Sequence, residues 1–395
     1  MPKQITTFEE FIKHILWLVF WVLLLLPLVG LPVYYLVYTA FGLNLIDIFA
    51  LATTKPEQFI KFQLDLITTE PTKSLFQWTT FPGFTFAALF STILMGYIER
   101  KMTAKIQLRV GPQYAGKYEG IGQMFADLFK LIFKEISIPY NADKPIFVAV
   151  PFALMGVAGA LLALIPLGPS TYMANPSIGA AFVFAILAFS PIIVLLAGWA
   201  SNNKYSLLGG LRALHQMIAY EIPLILSVVG VIVLSGTLNL MGVVTAQNGL
   251  WFIILQPLGA IVFFVGALAE LERIPFDIPE ADSELIAGWQ TEYTGMTYGV
   301  FFLANYIRMY ALAALFTVFF LGGWLGPGPL PPEVWFIAKT FVVMIVMMIP
   351  RSVLPRTRID LLLRGGWSRL MFLAFANIFI AMLLLSLGIV HGGGI

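Results

Sequence analysis

Nine runs of mostly apolar residues, separated by polar connections, set the pattern of this chain: roughly 12–39, 81–98, 147–166, 178–199, 218–237, 251–271, 298–322, 335–354 and 369–389. A helix crosses the hydrocarbon core of a bilayer with about 20 residues. Each run therefore predicts a spanning helix, and together they predict an all-α, polytopic transmembrane helix bundle of about nine spans. A different pattern occupies 121–135. There Ile121, Met124, Phe125, Leu128, Phe129, Ile132 and Phe133 recur at helical spacing, with Asp127, Lys130, Lys134 and Glu135 elsewhere. This predicts an amphipathic surface helix lying in the membrane interface or against a partner; packing on the bundle is the commoner fate of such a helix.

Charge gives the runs a direction. Connections 167–177, 238–250 and 323–334 contain no Lys or Arg. Residues 99–146 carry eight, and 351–369 carry Arg351, Arg356, Arg358, Arg364 and Arg369. Basic loops stay on the cytoplasmic side. The N-terminus, 99–146, 200–217, 272–297 and 351–368 are thus expected in the cytoplasm and the C-terminus outside. Segment 40–80, with mixed charges, would lie outside. Lys3 and Lys13 precede the first run as they would in a signal peptide. That run is too long for such a segment and no small-residue cleavage site follows, so it reads as a retained helix, kinked at Pro27 and Pro32. The expected organisation is an extra helix and external segment over 1–80, then one membrane domain over 81–395.

Composition fits the pattern and narrows the chemistry. The chain is 59% hydrophobic and 11% charged, against about 25% charged in soluble domains. The net charge of +2 gives no reason to expect nucleic acid. There is no Cys, and His14, His215 and His391 stand far apart. Iron–sulfur clusters use cysteine thiolates and haem usually uses His, so no metal site or redox centre is expected on this chain.

The densest polar stretch is 270–293, ELERIPFDIPEADSELIAGWQTEY. It holds Glu270, Glu272, Asp277, Glu280, Asp282, Glu284 and Glu292, opposed by Arg273. A carboxylate beside lipid costs roughly 3 kcal/mol even on lenient insertion scales. Such a set points to protons, cations or a polar ligand, or to a solvated loop between spans. Asp277, Glu280 and Glu284 share a face if the segment is helical, and Arg273 is expected to pair with one of the set. Glu221, Arg308 and Lys339 are further charges inside apolar runs.

Four segments resemble one family: YIERKMTAKIQLRVGP, KYSLLGGLRALHQMIAYEIP, ELERIPFDIPEADSELIAGWQTEYTGM and PRTRIDLLLRGGW. They are similar to the hallmark segments of the H subunit of proton-pumping NADH:quinone oxidoreductase, respiratory complex I. The resemblance covers about 81–389, eight spans in order; helix 12–39 and segment 40–80 lie outside it.

The resemblance implies a site. In that family the subunit joins the membrane arm to the soluble arm and helps form a chamber for quinone, the substrate. The last iron–sulfur cluster belongs to a neighbouring soluble subunit, so no cofactor would be held here. Partners would be the soluble cluster-bearing subunits, small membrane subunits and antiporter-like subunits, in a plasma, inner or thylakoid-like membrane. By position, Glu99, Arg100, Lys105, Arg109, Arg273 and Phe276 would belong to the chamber. Arg356, Arg358, Asp360 and Arg364 would brace its loops, or merely anchor to lipid headgroups. Glu221, Glu270, Asp277, Glu280, Asp282, Glu284 and Glu292 would form the proton-coupling set, of which about half is expected to be structural. Closely set carboxylates in a low-dielectric site cannot all ionise, so nearby charge on a reduced quinone would change their proton count.

Two positions depart from the family pattern. Asn305 stands where the family usually has Glu, and Arg308 is an added charge one turn on. Glu272 makes the acidic loop look closer to relatives in photosynthetic and archaeal complexes, whose donor is ferredoxin or a reduced deazaflavin, leaving the donor open between these and NADH. Two other readings stand beside this one. The first is the membrane anchor of a related hydrogenase, which lacks quinone. The second is a stand-alone ion transporter, against which the one-sided loops and the missing inverted repeat argue.

Overall fold

The computed structural model describes residues 94–116, 120–169, 171–172, 174–327 and 332–387, with backbone alone at 282 and 283. The expected span 12–39, most of 81–98 and segment 40–80 lie outside the described residues. Every regular element among those described is helical. In chain order they are α1 (94–106), α2 (Gln123–Phe133), α3 (Lys144–Leu164), α4 (Gly179–Leu187), α5 (Phe189–Ala200), α6 (Lys204–Ser235), α7 (Leu240–Ala246), α8 (Phe252–Leu255), α9 (Pro257–Glu270), α10 (Asp282–Leu285), α11 (Gly295–Phe320), α12 (Pro332–Val353), α13 (Ile359–Arg364) and α14 (Met371–Ser386). A π-helical turn, Gly365–Leu370, joins the last two.

Among the described residues, six helices are long and apolar enough to cross a membrane: α3, α4–α5 as one rod, α6, α11, α12, and α13–α14 as one rod. The expected span 251–271 is the exception. It is interrupted at Gln256 into the short α8 and the 14-residue α9. Pro257 starts α9 without a backbone N–H to give, which is tolerable only at a helix start. A second difference is α6, which begins at Lys204, 14 residues before the expected span. Asn203 caps it, its side chain accepting from Tyr205 N at 3.0 Å, and Gly236 ends it in the left-handed region at φ 68°.

α11 is the centre of the bundle. From Tyr306 to Phe320 every residue is buried, and Phe263 of α9 packs its ring against Phe316, Phe319 and Phe320. The α13–α14 rod is the least buried of the six, with Phe372, Phe375 and Phe379 exposed, as suits a surface facing lipid. Two buried polar devices hold the rods in register. Asn377 of α14 accepts from Gly259 N at 3.0 Å and donates to Ser227 O at 3.3 Å, tying α14 to α9 and α6. Lys339 of α12 donates to the carbonyls of Leu321, Gly323 and Leu325 and lies 4.3 Å from the Trp251 ring centroid. It supplies a cation where the C-terminal end of α11 leaves carbonyls unpaired.

α2 is the expected amphipathic helix. Met124 packs against Gly96 of α1 and Leu131 against Gly299 of α11, while Phe125, Phe129 and Phe133 face outward.

Candidate functional site

Ionisable side chains gather at the end of the bundle where α1, α9, α11 and α12 meet the 271–294 loop. Glu99 of α1 is 2% exposed. It accepts from Arg273 of the loop at 2.5 Å, from Arg351 near the end of α12, and from the Tyr306 hydroxyl of α11 at 2.6 Å. The Arg273 guanidinium also stacks over the Tyr306 ring at 4.6 Å. Two guanidinium groups and a phenol around one carboxylate keep Glu99 as the anion.

A second knot lies one helix deeper. Arg308, midway along α11 and 1% exposed, donates from Nη2 at 2.9 Å both to Glu270 Oε1 and to the Glu270 main-chain oxygen. The guanidinium thus pairs with the side chain and caps the C-terminal end of α9 at once. Glu270 Oε2 is buried with no hydrogen-bond partner among the described residues. Glu221 of α6 is near enough to repel the Glu270 carboxylate.

Glu272, two residues on, is 5% exposed and adopts φ 52°. Trp289 Nε1 donates to its Oε2 at 3.2 Å, and its Oε1 has no partner among the described residues. Burial pushes the Glu272 carboxyl well above its usual range, and the nearby Glu280 and Asp277 carboxylates push the same way. Arg308 and the Trp289 indole oppose this only in part.

Two glycines let the loop close onto α6. A Cβ on Gly288, at φ 55°, would stand 1.8 Å from Pro279 O; one on Gly209 of α6 would stand 2.6 Å from Trp289 N. Only hydrogen fits at either place, and that approach carries Trp289 to Glu272.

The other expected residues are distributed as follows. The Asp277–Glu284 stretch is not one helix, so Asp277, Glu280 and Glu284 share no helical face; α10 alone is helical there. Asp277 accepts from Arg356 at 2.9 Å and Glu284 from Arg212 at 2.5 Å, while Gln290 donates to Glu280. Glu292 accepts from Asn203 Nδ2 at 2.6 Å, a bond to the cap of α6. Asp282 opens α10, and its side chain is outside the described residues. Arg273 pairs with Glu99, not with a member of the acidic loop as expected. A partner 174 positions away has no local signature. Arg100 turns away from that knot to Asp127 of α2, at 2.5 Å. Lys105 is half-buried near the end of α1, and Arg109 is exposed and bonds Gln107. Phe276 packs on Tyr220 of α6 at 5.1 Å. Arg358 and Asp360 face each other at 3.9 Å in the open, and Arg364 is exposed.

Arg351, Tyr306 and Trp289 belong to the site without a sequence signal that singles them out. Arg351 resembles one more loop arginine, and the two aromatics resemble ordinary core.

The fold and this polar end define a multi-pass helical membrane protein with a buried carboxylate–guanidinium site. A family model described as NADH dehydrogenase matches residues 80–382. The H subunit of the NADH-quinone oxidoreductase of Bacillus thuringiensis (strain Al Hakam) is 43% identical over 317 residues, which is 78% of this chain and 95% of the relative. Those of Bacillus cereus (strain AH187) and Bacillus anthracis (strain A0248) match to the same extent. The chain belongs to the NADH dehydrogenase family, in the branch of the NADH-quinone oxidoreductase H subunits, and so is a membrane subunit of a multisubunit complex I-type oxidoreductase.

Proposed function

We propose that this subunit helps form the quinone chamber of its complex and couples quinone reduction to proton translocation through buried carboxylates. The observation that carries the reading is Arg308 bonded to Glu270, with the buried Glu272 carboxyl close enough to feel the same guanidinium. Two acids face one fixed cation in a water-poor site, and each acid keeps one oxygen unsatisfied. Such a site takes up or releases a proton when a charge appears nearby, because each added negative charge raises the cost of a second ionised carboxyl. The same polar end of the bundle holds the Glu99 knot with Arg273, Arg351 and Tyr306, and a quinone head with two carbonyl oxygens would be received there by exchange with these donors. Quinone would be substrate, and electrons would arrive from a cluster on a neighbouring soluble subunit, since this chain has no Cys. The domain reading, 1–80 as an addition to a membrane unit over 81–395, belongs to the same proposal, as does a cytoplasmic position for the acidic loop.

The test is Glu270→Gln in the intact complex in sealed native membrane vesicles. Quinone reduction should persist while proton uptake per quinone reduced falls. An unchanged ratio would remove Glu270 from coupling. Mass spectrometry of what copurifies with the tagged chain would identify the partners: cysteine-rich cluster subunits with antiporter-like subunits support the proposal, and a nickel-site subunit with intact cysteine ligands would favour the hydrogenase anchor.

A further inference from the structure

One stripe of α6 carries the acidic loop. Asn203 at its cap donates to Glu292, Ser206 Oγ donates to Trp289 O at 3.0 Å, and Gly209 leaves room for the Trp289 backbone. Two turns further on, the stripe presents Gln216, which is 2% exposed. Its Nε2 donates to Ala269 O at 2.8 Å, in the last turn of α9. That bond fixes the amide, because the other orientation would set oxygen against oxygen. Gln216 Oε1 is then a buried acceptor with no donor among the described residues. Native folds supply a donor to such an atom from a side chain or an ordered water.

Glu272 has the complementary need. Its N–H donates to the same Ala269 oxygen at 3.2 Å, so Gln216 and Glu272 meet at one carbonyl. Glu272 Oε2 accepts from Trp289, its Oε1 is buried without a partner among the described residues, and Arg308 is bonded to Glu270. Glu280 and Asp277 of the loop and Arg308 of α11 are the charged groups that act on the Glu272 carboxyl, and Glu221 of α6 acts on Glu270 beside it. Surrounding acids favour the neutral form of a buried carboxyl, and the neutral form has an O–H to donate. Three oxygens in this region lack a hydrogen: Gln216 Oε1, Glu272 Oε1 and Glu270 Oε2. One proton and one water supply three.

We propose that Gln216 is a positioning residue of the coupling site: with one bound water it holds the proton on Glu272. The Glu272 hydroxyl donates to the water, and the water donates to Gln216 Oε1 and to Glu270 Oε2, within the two to four partners that a buried water takes. When the proton leaves, the three oxygens share only the two hydrogens of the water, and one goes unpaired. Service to coupling rests on the function proposed above, whereas the bond to Glu272 can be tested without turnover.

The experiment follows hydrogen exchange over 272–293 against pH in the purified whole complex, by mass spectrometry. The part of the profile abolished by Glu272→Gln belongs to that carboxyl. Gln216→Met keeps the length of the side chain and removes the amide. It should bring the onset of the excess exchange about 0.7 pH unit lower, a roughly fivefold loss of proton affinity, which is the worth of one hydrogen bond. Gln216→Glu keeps an acceptor oxygen and adds an acid, so it should move the onset upward. A residue that only packs would change the level of exchange in both variants and leave the onset in place. An unchanged onset in Gln216→Met, or a shift in the same direction in both variants, would overturn the role. In the parent complex, a high-resolution electron cryomicroscopy map should show one water in contact with Gln216 Oε1; a map without it would overturn the bridge. Neither readout depends on proton uptake per quinone, so failure here is distinct from failure of the coupling proposal.

Discussion

Arg308 holds both the side chain and the main-chain oxygen of Glu270, at 2.9 Å each, across the α9–α11 contact. One guanidinium thereby fixes where α9 ends and where the acidic loop begins. Removing a partner from a pair this deeply buried strands the other charge, at a cost of about 3–5 kcal/mol. Arg308→Met should therefore lower the thermal stability of the complex sharply. Adding Glu270→Gln should recover part of the loss, because a neutral amide has no charge to strand. A double-mutant cycle by thermal unfolding checks this; simple additivity would mean that the two residues do not depend on each other.

The two arginines on Glu99 should not be equivalent. Arg273 is 10% exposed at its side chain and Arg351 is 47% exposed. Water screens the second pair, and exposed pairs are worth about 0–1 kcal/mol. Arg273→Gln should cost about 3 kcal/mol, in the buried-pair range, and Arg351→Gln no more than about 1 kcal/mol. Unfolding of the two variants at low and high salt would show it, with salt dependence confined to the Arg351 contact.

Glu272 predicts a pH dependence of unusual sign for a carboxylate. Its folded-state proton affinity is raised by burial and by Glu280 and Asp277, so the folded loop binds more protons than the unfolded chain. Its contribution is therefore most favourable below the ordinary carboxylate pKa and declines as pH rises toward the raised value. Hydrogen exchange over 272–293 should quicken with pH beyond its intrinsic increase. Glu272→Gln should flatten that excess, and an identical pH profile in the variant would exclude the carboxyl as the cause.

Gly288→Ala should open the loop. The new methyl group would meet Pro279 O at 1.8 Å at a positive φ, and the backbone conformation alone costs about 1–2 kcal/mol. The expected result is faster proteolysis within 276–290 and loss of activity of the complex. Gly249→Ala is the control: it also has positive φ, at 119°, but nothing lies within 4 Å of its added carbon, so its effect should be confined to local strain.

Asn377→Leu removes a donor and an acceptor from the α14–α9–α6 junction. Both Gly259 N and Ser227 O lose their bond to Asn377, and each unsatisfied buried group costs about 1–3 kcal/mol. Detergent-induced loss of α14 packing, read by unfolding of the purified complex, should come earlier than in the parent.

The spans were legible because hydrocarbon thickness and helical rise leave little freedom. The runs 147–166 and 335–354 appear as Lys144–Leu164 and Pro332–Val353. The apolar periodicity of 121–135 likewise appears as α2. The start of α6 was hidden by KYSLLGGLRALHQM, whose glycines and charges resemble a connection. In the fold, Gly209 and Gly210 are where Trp289 and Gly198 pack against the helix. The break at Gln256 did have a signal, Pro257 inside an apolar run. The acidic residues were visible as a set, but their partners were not. Glu99 meets Arg273 and Arg351 from 174 and 252 positions away, and no local periodicity encodes such distances. The Asp277, Glu280, Glu284 spacing was misleading because Pro275 and Pro279 break the helix that it presumes.

Arg308 satisfies one acid of this region and leaves its neighbour without a cation of its own. Its guanidinium bonds Glu270, whereas Glu272, also buried, has the Trp289 indole as its hydrogen-bond donor. A buried carboxyl in that position is held most easily with its proton on. The folded loop therefore keeps a proton that the same residue would give up to water in the unfolded chain.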